Sequence, residues 1–146
     1  NPKLLEDLSN RFGSSTIVLS VEAKKKYDGT WEAYTNNGRE KTGLNVVEWC
    51  IEAEKLGVGE ILLTSVDNEG TCNGFDYELT QSVSKKTFIP IIASGGMGEQ
   101  AHLEDAIDLG DADAIAMADI LHYERSSIPM IRDAAKKAGI NVRDHD

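Results

Sequence analysis

The stretch IIASGGMGEQ, residues 91–100, decides the fold, because a short apolar run ends there in Ser94-Gly95-Gly96. The apolar run predicts a buried strand, and the mixed polar and apolar residues from Glu99 onward predict a helix. Two interpretations of the glycines are open. They make only a tight turn, or they also leave backbone N–H groups bare for an anion to approach the helix N-terminus.

The same alternation of apolar run and amphipathic stretch repeats along the chain. The apolar runs are rich in β-branched residues, which indicates strands buried in a parallel sheet. Asp28-Gly29 and Asn37-Gly38 flank an alternating run and predict a β-hairpin after the first strand. The predicted elements are a helix over 2–12, strands over 16–22, 60–66, 88–94 and 112–121, a hairpin segment over 23–44, and helices over 45–57, 76–87, 99–110 and 127–139.

Four βα units predict an α/β fold, and the number of units leaves two architectures open. A complete eight-unit barrel needs roughly 250 residues, whereas this chain has 146. The four strands therefore form either a small open sheet or half of a barrel. The chain also begins on a helix with no strand before it, which is the pattern expected of a segment cut from a longer chain.

Composition excludes several classes of protein. The chain is 40% hydrophobic and 27% charged, which is typical of a globular domain, and its net charge of −10 argues against nucleic-acid and membrane partners. No apolar run is long enough for a membrane span, and Cys50 and Cys72 make no disulfide framework, so we expect free thiols and a cytoplasmic location.

The three histidines fall in separate parts of the chain. His102 is predicted on a helix surface, His122 in a loop and His145 in a frayed tail. No pair of them has metal-ligand spacing, and we expect neither a metal nor a cofactor.

Polar residues or glycines close all four predicted strands. Because the C-terminal ends of parallel strands meet at one edge, these residues predict a single binding face. Barrels frequently build a phosphate site from the last two βα loops, which favours the anion interpretation of Ser94-Gly95-Gly96 over a plain turn. The strand ends are Glu22-Ala23-Lys24, Thr64-Ser65-Val66-Asp67, Ser94-Gly95-Gly96 and Ala118-Asp119.

Several of these motifs, in this order, resemble one known family. The stretches GEILLTSVDNEGT (59–71), PIIASGG (90–96), ADAIAMADILHY (112–123) and AGINVR (138–143) are similar to the cyclase subunit of imidazole glycerol phosphate synthase. The resemblance covers the whole chain but only the C-terminal half of that family's (βα)8 barrel. It implies one (βα)4 half-barrel domain over 1–146, with parallel strands, outer helices, a β-hairpin insertion after the first strand, and residues 1–13 as the helix preceding that strand.

The resemblance implies an enzyme of histidine biosynthesis, a lyase that acts without a cofactor. A glutaminase subunit docks at the N-terminal face of the barrel, and ammonia passes through the barrel to the opposite face. There a phosphorylated ribulosyl nucleotide is cleaved and cyclised to imidazole glycerol phosphate and an aminoimidazole carboxamide ribotide. Two carboxylates, one in each half, do the acid–base chemistry, and each half binds one phosphate.

Matching the family's motifs residue by residue assigns roles in this chain. Glu22 is the catalytic carboxylate of this half, and Glu60 lies at the ammonia entrance. Thr64 faces the barrel mouth, where it joins the residues that bind substrate and phosphate. That set is Thr64, Glu69, Gly70, Ser94, Gly95, Gly96, Ala118 and Asp119.

Three of these positions depart from the family's usual pattern. Glu22 and Glu69 replace aspartates, and Asp119 replaces a serine, so an ionised Asp119 would repel a phosphate. These changes point to an alternative, a branch that resembles the histidine enzyme but supplies ammonia to a sugar-amidating partner in surface-polysaccharide synthesis, without cyclase activity. Plainer interpretations are a surface carboxylate for Glu22 and a helix cap for Asp119. The long segment 23–44 is expected to fold over the site.

We expect the isolated chain to be inactive as a cyclase. The family's other half-barrel carries the second carboxylate, the second phosphate site and half of the ammonia channel. A half-barrel also has two open sheet edges, and such edges pair readily. The expected partners are therefore the missing N-terminal half or a second copy of the chain, together with the glutaminase and a phosphorylated small molecule.

Overall fold

The computed structural model describes residues 1–143, and within them six strands form one sheet in the order β3-β2-β1-β4-β5-β6. His145 lies outside the described residues. Strands β1, β4, β5 and β6 run parallel, and β2 and β3 add antiparallel to the edge of β1. The strands are β1 Val18–Lys25, β2 Trp31–Thr35, β3 Glu40–Asn45, β4 Glu60–Ser65, β5 Ile91–Ser94 and β6 Ala114–Ala116. The helices are α1 Pro2–Phe12, α2 Val46–Lys55, α3 Tyr77–Ser84, α4 Ala101–Asp108, α5 Asp119–His122 and α6 Ile128–Lys137, and a 3₁₀ turn spans Ser14–Thr16.

The two faces of the parallel sheet differ in burial. One face carries buried apolar side chains such as Val21, Leu63 and Ala93, which belong to cores that include helix residues. The alternate positions, among them Leu62 and Ile92, are only half-buried, and Val18 is 49% exposed. Open parallel sheets cover both faces with helices, whereas a barrel keeps its helices on the outside. The fold is therefore consistent with part of a (βα)8 barrel, as predicted.

The predicted hairpin turns are confirmed, and side-chain caps fix the starts of two helices. Asn45 caps α2 by accepting hydrogen bonds from Val47 N and Glu48 N, and Asp76 caps α3 through Leu79 N. Asp76 also accepts from the Trp31 indole at 2.9 Å, which fastens the hairpin to α3. The predicted turn signals each lie at a turn, Asp28-Gly29 between β1 and β2 and Asn37-Gly38 between β2 and β3.

Several predicted strand boundaries are wrong. The first strand runs on to Lys25, because β2 pairs with it from Glu22 to Lys25, so Glu22 lies inside the strand rather than at its end. The third parallel strand begins at Ile91 rather than residue 88, since Phe88 is 98% exposed and donates its N–H to Glu54. The fourth strand spans only Ala114–Ala116 rather than 112–121. Asp119–His122 form the short helix α5, so His122 lies in a helix and not in a loop.

Candidate functional site

Four side chains form a row across the C-terminal part of the parallel sheet. The register pairs Glu22 with Thr64, Thr64 with Ser94, and Ser94 with Ala116. Neighbouring residues in register point to the same face of a sheet, and this row occupies the face opposite the helix-covered core. A carboxylate, two hydroxyls and one small residue therefore share a surface next to the strand ends.

The β2–β3 turn folds onto Glu22, as expected for the long insertion. Gly38 N donates a hydrogen bond of 2.7 Å to Glu22 Oε2, and Gly38 is buried while the turn residues around it are exposed. A Cβ at Gly38 would lie 2.6 Å from Val66 Cγ1, so the turn rests against the end of β4. Asp67 accepts from Lys25 N at 2.8 Å and fixes the base of the hairpin.

A cavity of about 150 Å³ opens beside this row. It brings together three segments that the sequence placed in one phosphate site: the loop after β4, the glycine loop after β5 and the start of α5. Thr64 and Glu22 do not line the cavity, although Thr64 is in register with Ser94, which does. The lining residues are Glu69, Gly70, Ser94, Gly95, Gly96, Met97, Ala116, Met117, Ala118 and Asp119.

The geometry of the glycine loop agrees in part with each of the two interpretations, the tight turn and the anion site. A Cβ at Gly95 would lie 2.6 Å from the Ser65 carbonyl oxygen, and one at Gly96 would overlap the Gly74 carbonyl oxygen. Gly74 N also donates to Gly96 O at 2.8 Å, so the two loops touch backbone to backbone. Among the backbone hydrogen bonds that residues 1–143 make outside the helices and strands, none has the N–H of Gly95, Gly96 or Met97 as its donor. The glycine loop is thus a tight turn that also keeps donors bare at the cavity.

His102 holds the far end of the glycine loop, a role that the sequence did not reveal. Its Nδ1 accepts from Gly98 N at 3.1 Å, and its side chain is only 14% exposed. The prediction of a helix-surface histidine is therefore wrong. Its position four residues after Gly98, in the first turn of the helix, is the signal that would have suggested this contact.

Asp119 does not cap the following helix but engages two side chains at the cavity edge. It is the first residue of α5, and no side-chain bond caps that helix. Cys72 Sγ donates to Asp119 Oδ1 at 3.1 Å, and the Arg125 guanidinium pairs with the same oxygen. The Cys72 hydrogen bond and the Arg125 charge together lower the pKa of Asp119, so this carboxylate is ionised near neutral pH.

Comparison with known proteins now decides the family. A sequence profile described as "Histidine biosynthesis protein" matches residues 1–127. The chain belongs to this histidine biosynthesis family. It is also 44% identical, over 143 residues, to the imidazole glycerol phosphate synthase subunit HisF of Hydrogenobaculum sp. (strain Y04AAS1). That match includes 98% of this chain and 57% of the relative, so the chain spans a little over half of the relative's length.

Glu60, which the family resemblance placed at an ammonia entrance, lies at the opposite end of the sheet from the cavity. It is the first residue of β4, in register with Val18 at the start of β1, and its side chain is half-buried. The candidate residues therefore lie at two opposite ends of the parallel sheet. Glu60 stands at the N-terminal end, and Glu22, Thr64 and the cavity stand toward the C-terminal end.

Thiol chemistry, metal binding and membrane spanning are questions separate from the cavity. Cys50 and Cys72 are both free, and burial raises the pKa of the Cys50 thiol to about 12. Among residues 1–143, no three histidine, cysteine, aspartate or glutamate side chains are grouped so that they could hold a metal ion. No helix in that part of the chain is long and apolar enough to cross a bilayer.

Proposed function

We propose that residues 1–146 are one (βα)4 half-barrel domain, the C-terminal half of an imidazole glycerol phosphate synthase cyclase subunit. The observation that carries this proposal is the cavity, which gathers seven residues assigned to phosphate binding beside the row that contains Glu22. Family membership and the similarity to the Hydrogenobaculum subunit agree with it. The free thiols agree with a cytoplasmic location.

In this proposal the cavity anchors one phosphate of a ribulosyl nucleotide. Bare N–H groups of the glycine loop suit a phosphate oxygen, because backbone donors carry partial positive charge without needing a lysine or arginine. An anchored phosphate fixes the position of the rest of the substrate, and orientation of this kind supplies much of the rate enhancement in enzymes. Thr64 lies between Glu22 and the cavity-lining Ser94 on the same surface, along the direction in which such a substrate would extend.

Glu22 supplies the acid–base group of this half. Its carboxylate accepts the Gly38 hydrogen bond through Oε2, and this bond restrains the longer glutamate side chain. A carboxylate held in this way can accept a proton from the substrate and return it in a later step. The glutaminase would dock at the end marked by Glu60, and ammonia would reach Glu22 along the sheet face between them.

The test is to join this chain to the N-terminal half of the Hydrogenobaculum subunit and to measure consumption of the ribulosyl nucleotide with ammonium as nitrogen source. We expect turnover with the joined barrel and none with either half alone, because each half carries one carboxylate and one phosphate site. Absence of turnover from a joined barrel that is folded would contradict the cyclase function.

A second candidate function is ammonia supply to a sugar-amidating partner, without cyclase chemistry. Glu22 and Asp119 favour it, because both depart from the cyclase pattern. The Glu22→Asp variant of the joined barrel separates the two functions. A fall in turnover indicates that the glutamate is the working base, whereas turnover that appears only in the variant indicates a barrel that has given up cyclase chemistry.

We also propose that a second half-barrel binds the uncovered sheet face, the outer strand β6 and the edge of β1 that β2 leaves free at residues 18–21. Edge strands leave backbone groups unpaired, and the half-buried side chains Leu62 and Ile92 on the row's face gain burial in a closed barrel. The mass of the chain in solution at micromolar concentration, measured by light scattering, checks this. We expect a dimer for the chain alone and a one-to-one complex when the N-terminal half is added, and a sharp monomer in both samples would contradict the proposal.

A further inference from the structure

The charge at the cavity conflicts with an anionic ligand. Two of its lining residues, Glu69 and Asp119, are acidic, and the whole chain carries a net charge of −10. Glu69 Oε2 lies 3.1 Å from the position that a Cβ of Gly95 would occupy, so this carboxylate is close to the glycine loop. If both carboxylates acted as free charges, the cavity would repel a phosphate despite its bare N–H groups.

Arg125 offsets the negative charge of Asp119 at the cavity. Its guanidinium pairs with Asp119 Oδ1 and donates to Cys72 Sγ at 3.1 Å. The guanidinium also lies 4.9 Å from the centre of the Tyr123 ring, which restrains the arginine from a second side. Arg125 is not among the residues that line the cavity, so it acts on the cavity through Asp119.

We propose that Arg125 makes the cavity compatible with a phosphate monoester by neutralising Asp119, and that the Asp119–Arg125 pair occupies the place of a neutral residue. The inference rests on the proposed phosphate site and adds a residue that sets its selectivity. Arg125 is a positioning residue in this account, because it offsets the charge of the Asp119 carboxylate without lining the cavity itself.

The Asp119–Arg125 pair predicts that a second substitution restores the phosphate binding that the first one weakens. Removing Arg125 alone leaves an uncompensated carboxylate beside the anion, so Arg125→Gln should weaken phosphate binding about tenfold, equivalent to about 1.4 kcal/mol. Removing both charges deletes the source of repulsion, so Asp119→Ser combined with Arg125→Gln should bind within about threefold of the original chain. A residue that only stabilises the fold would show no such rescue, because a second substitution would add to the damage.

The experiment titrates the isotope-labelled 146-residue chain with inorganic phosphate at constant ionic strength and follows the amide signals of Gly95 and Gly96 by NMR. Constant ionic strength keeps the screening of surface charges equal across the titration. The proteins compared are the original chain, Arg125→Gln, Asp119→Ser, the double variant and Arg125→Lys. Arg11→Gln is the matched control, because it removes the same charge from α1, at the opposite end of β1 from the cavity.

The outcomes separate the inference from the function on which it rests. We expect Arg125→Lys and Arg11→Gln to keep the original affinity within about threefold, and the double variant to recover what Arg125→Gln loses. If the original chain binds but the double variant stays as weak as Arg125→Gln, or Arg125→Lys binds equally weakly, neutralisation of Asp119 is not the role of Arg125. If the original chain shows no response at Gly95 or Gly96, the phosphate site itself is wrong and the inference fails with it.

Discussion

Gly96→Ala should abolish phosphate binding at the cavity and lower the free energy of unfolding by about 3 kcal/mol. Gly96 has φ of +107°, a conformation that costs an L-residue free energy, and a Cβ there would overlap the Gly74 carbonyl oxygen. Because that oxygen belongs to backbone, the two loops must separate to admit the methyl group. Urea denaturation measures the loss of stability, and phosphate titration measures the loss of binding.

Gly70→Ala is the matched control for this prediction. Gly70 lines the same cavity and has φ of +71°, but no atom lies within 4 Å of the position that its Cβ would take. The substitution should therefore cost only the backbone term, about 1 kcal/mol. Equal losses from Gly70→Ala and Gly96→Ala would show that backbone conformation, rather than contact between the loops, limits substitution here.

Glu22→Gln should lower cyclase turnover of the joined barrel by a factor of about 10² to 10⁴, the range typical of losing a general acid or base. The amide oxygen of glutamine can still accept the Gly38 hydrogen bond, so the stability of the protein should change by less than about 1 kcal/mol. The Michaelis constant should change little, since the phosphate is held elsewhere. Steady-state kinetics and thermal denaturation of the same samples provide both measurements.

Glu32→Gln is the control for Glu22→Gln. Glu32 lies in β2 and likewise accepts a hydrogen bond from a backbone N–H, that of Gly43, at 3.0 Å. It is not in the row with Thr64 and Ser94, so its amide variant should keep full turnover. If Glu22→Gln also keeps full turnover, Glu22 serves only to fasten the hairpin, and the ammonia-supply function becomes the better account.

Local signals in the sequence were enough for much of the fold, whereas the residues of the cavity were assigned from the strand ends together with the family resemblance. The strand before Ser94 and the hairpin turns each depend on a few adjacent residues, and the ends of parallel strands meet at one edge in any such sheet. The length of β1 was not predictable in this way, because it depends on pairing with β2. One of the two partners of Asp119 was missed for a similar reason, since Cys72 is 47 residues away from it in the chain.

The backbone contact between the loops after β4 and β5 separates two properties of the cavity that usually vary together. Main-chain atoms and glycines fix how closely the two loops approach at the cavity, whereas side chains at Glu69 and Asp119 set its charge. Exchanging those two side chains leaves the contact between the loops in place. A lineage carrying this scaffold can therefore change the chemical class of its ligand without rebuilding the pocket, while the glycines stay under constraint whatever the ligand becomes.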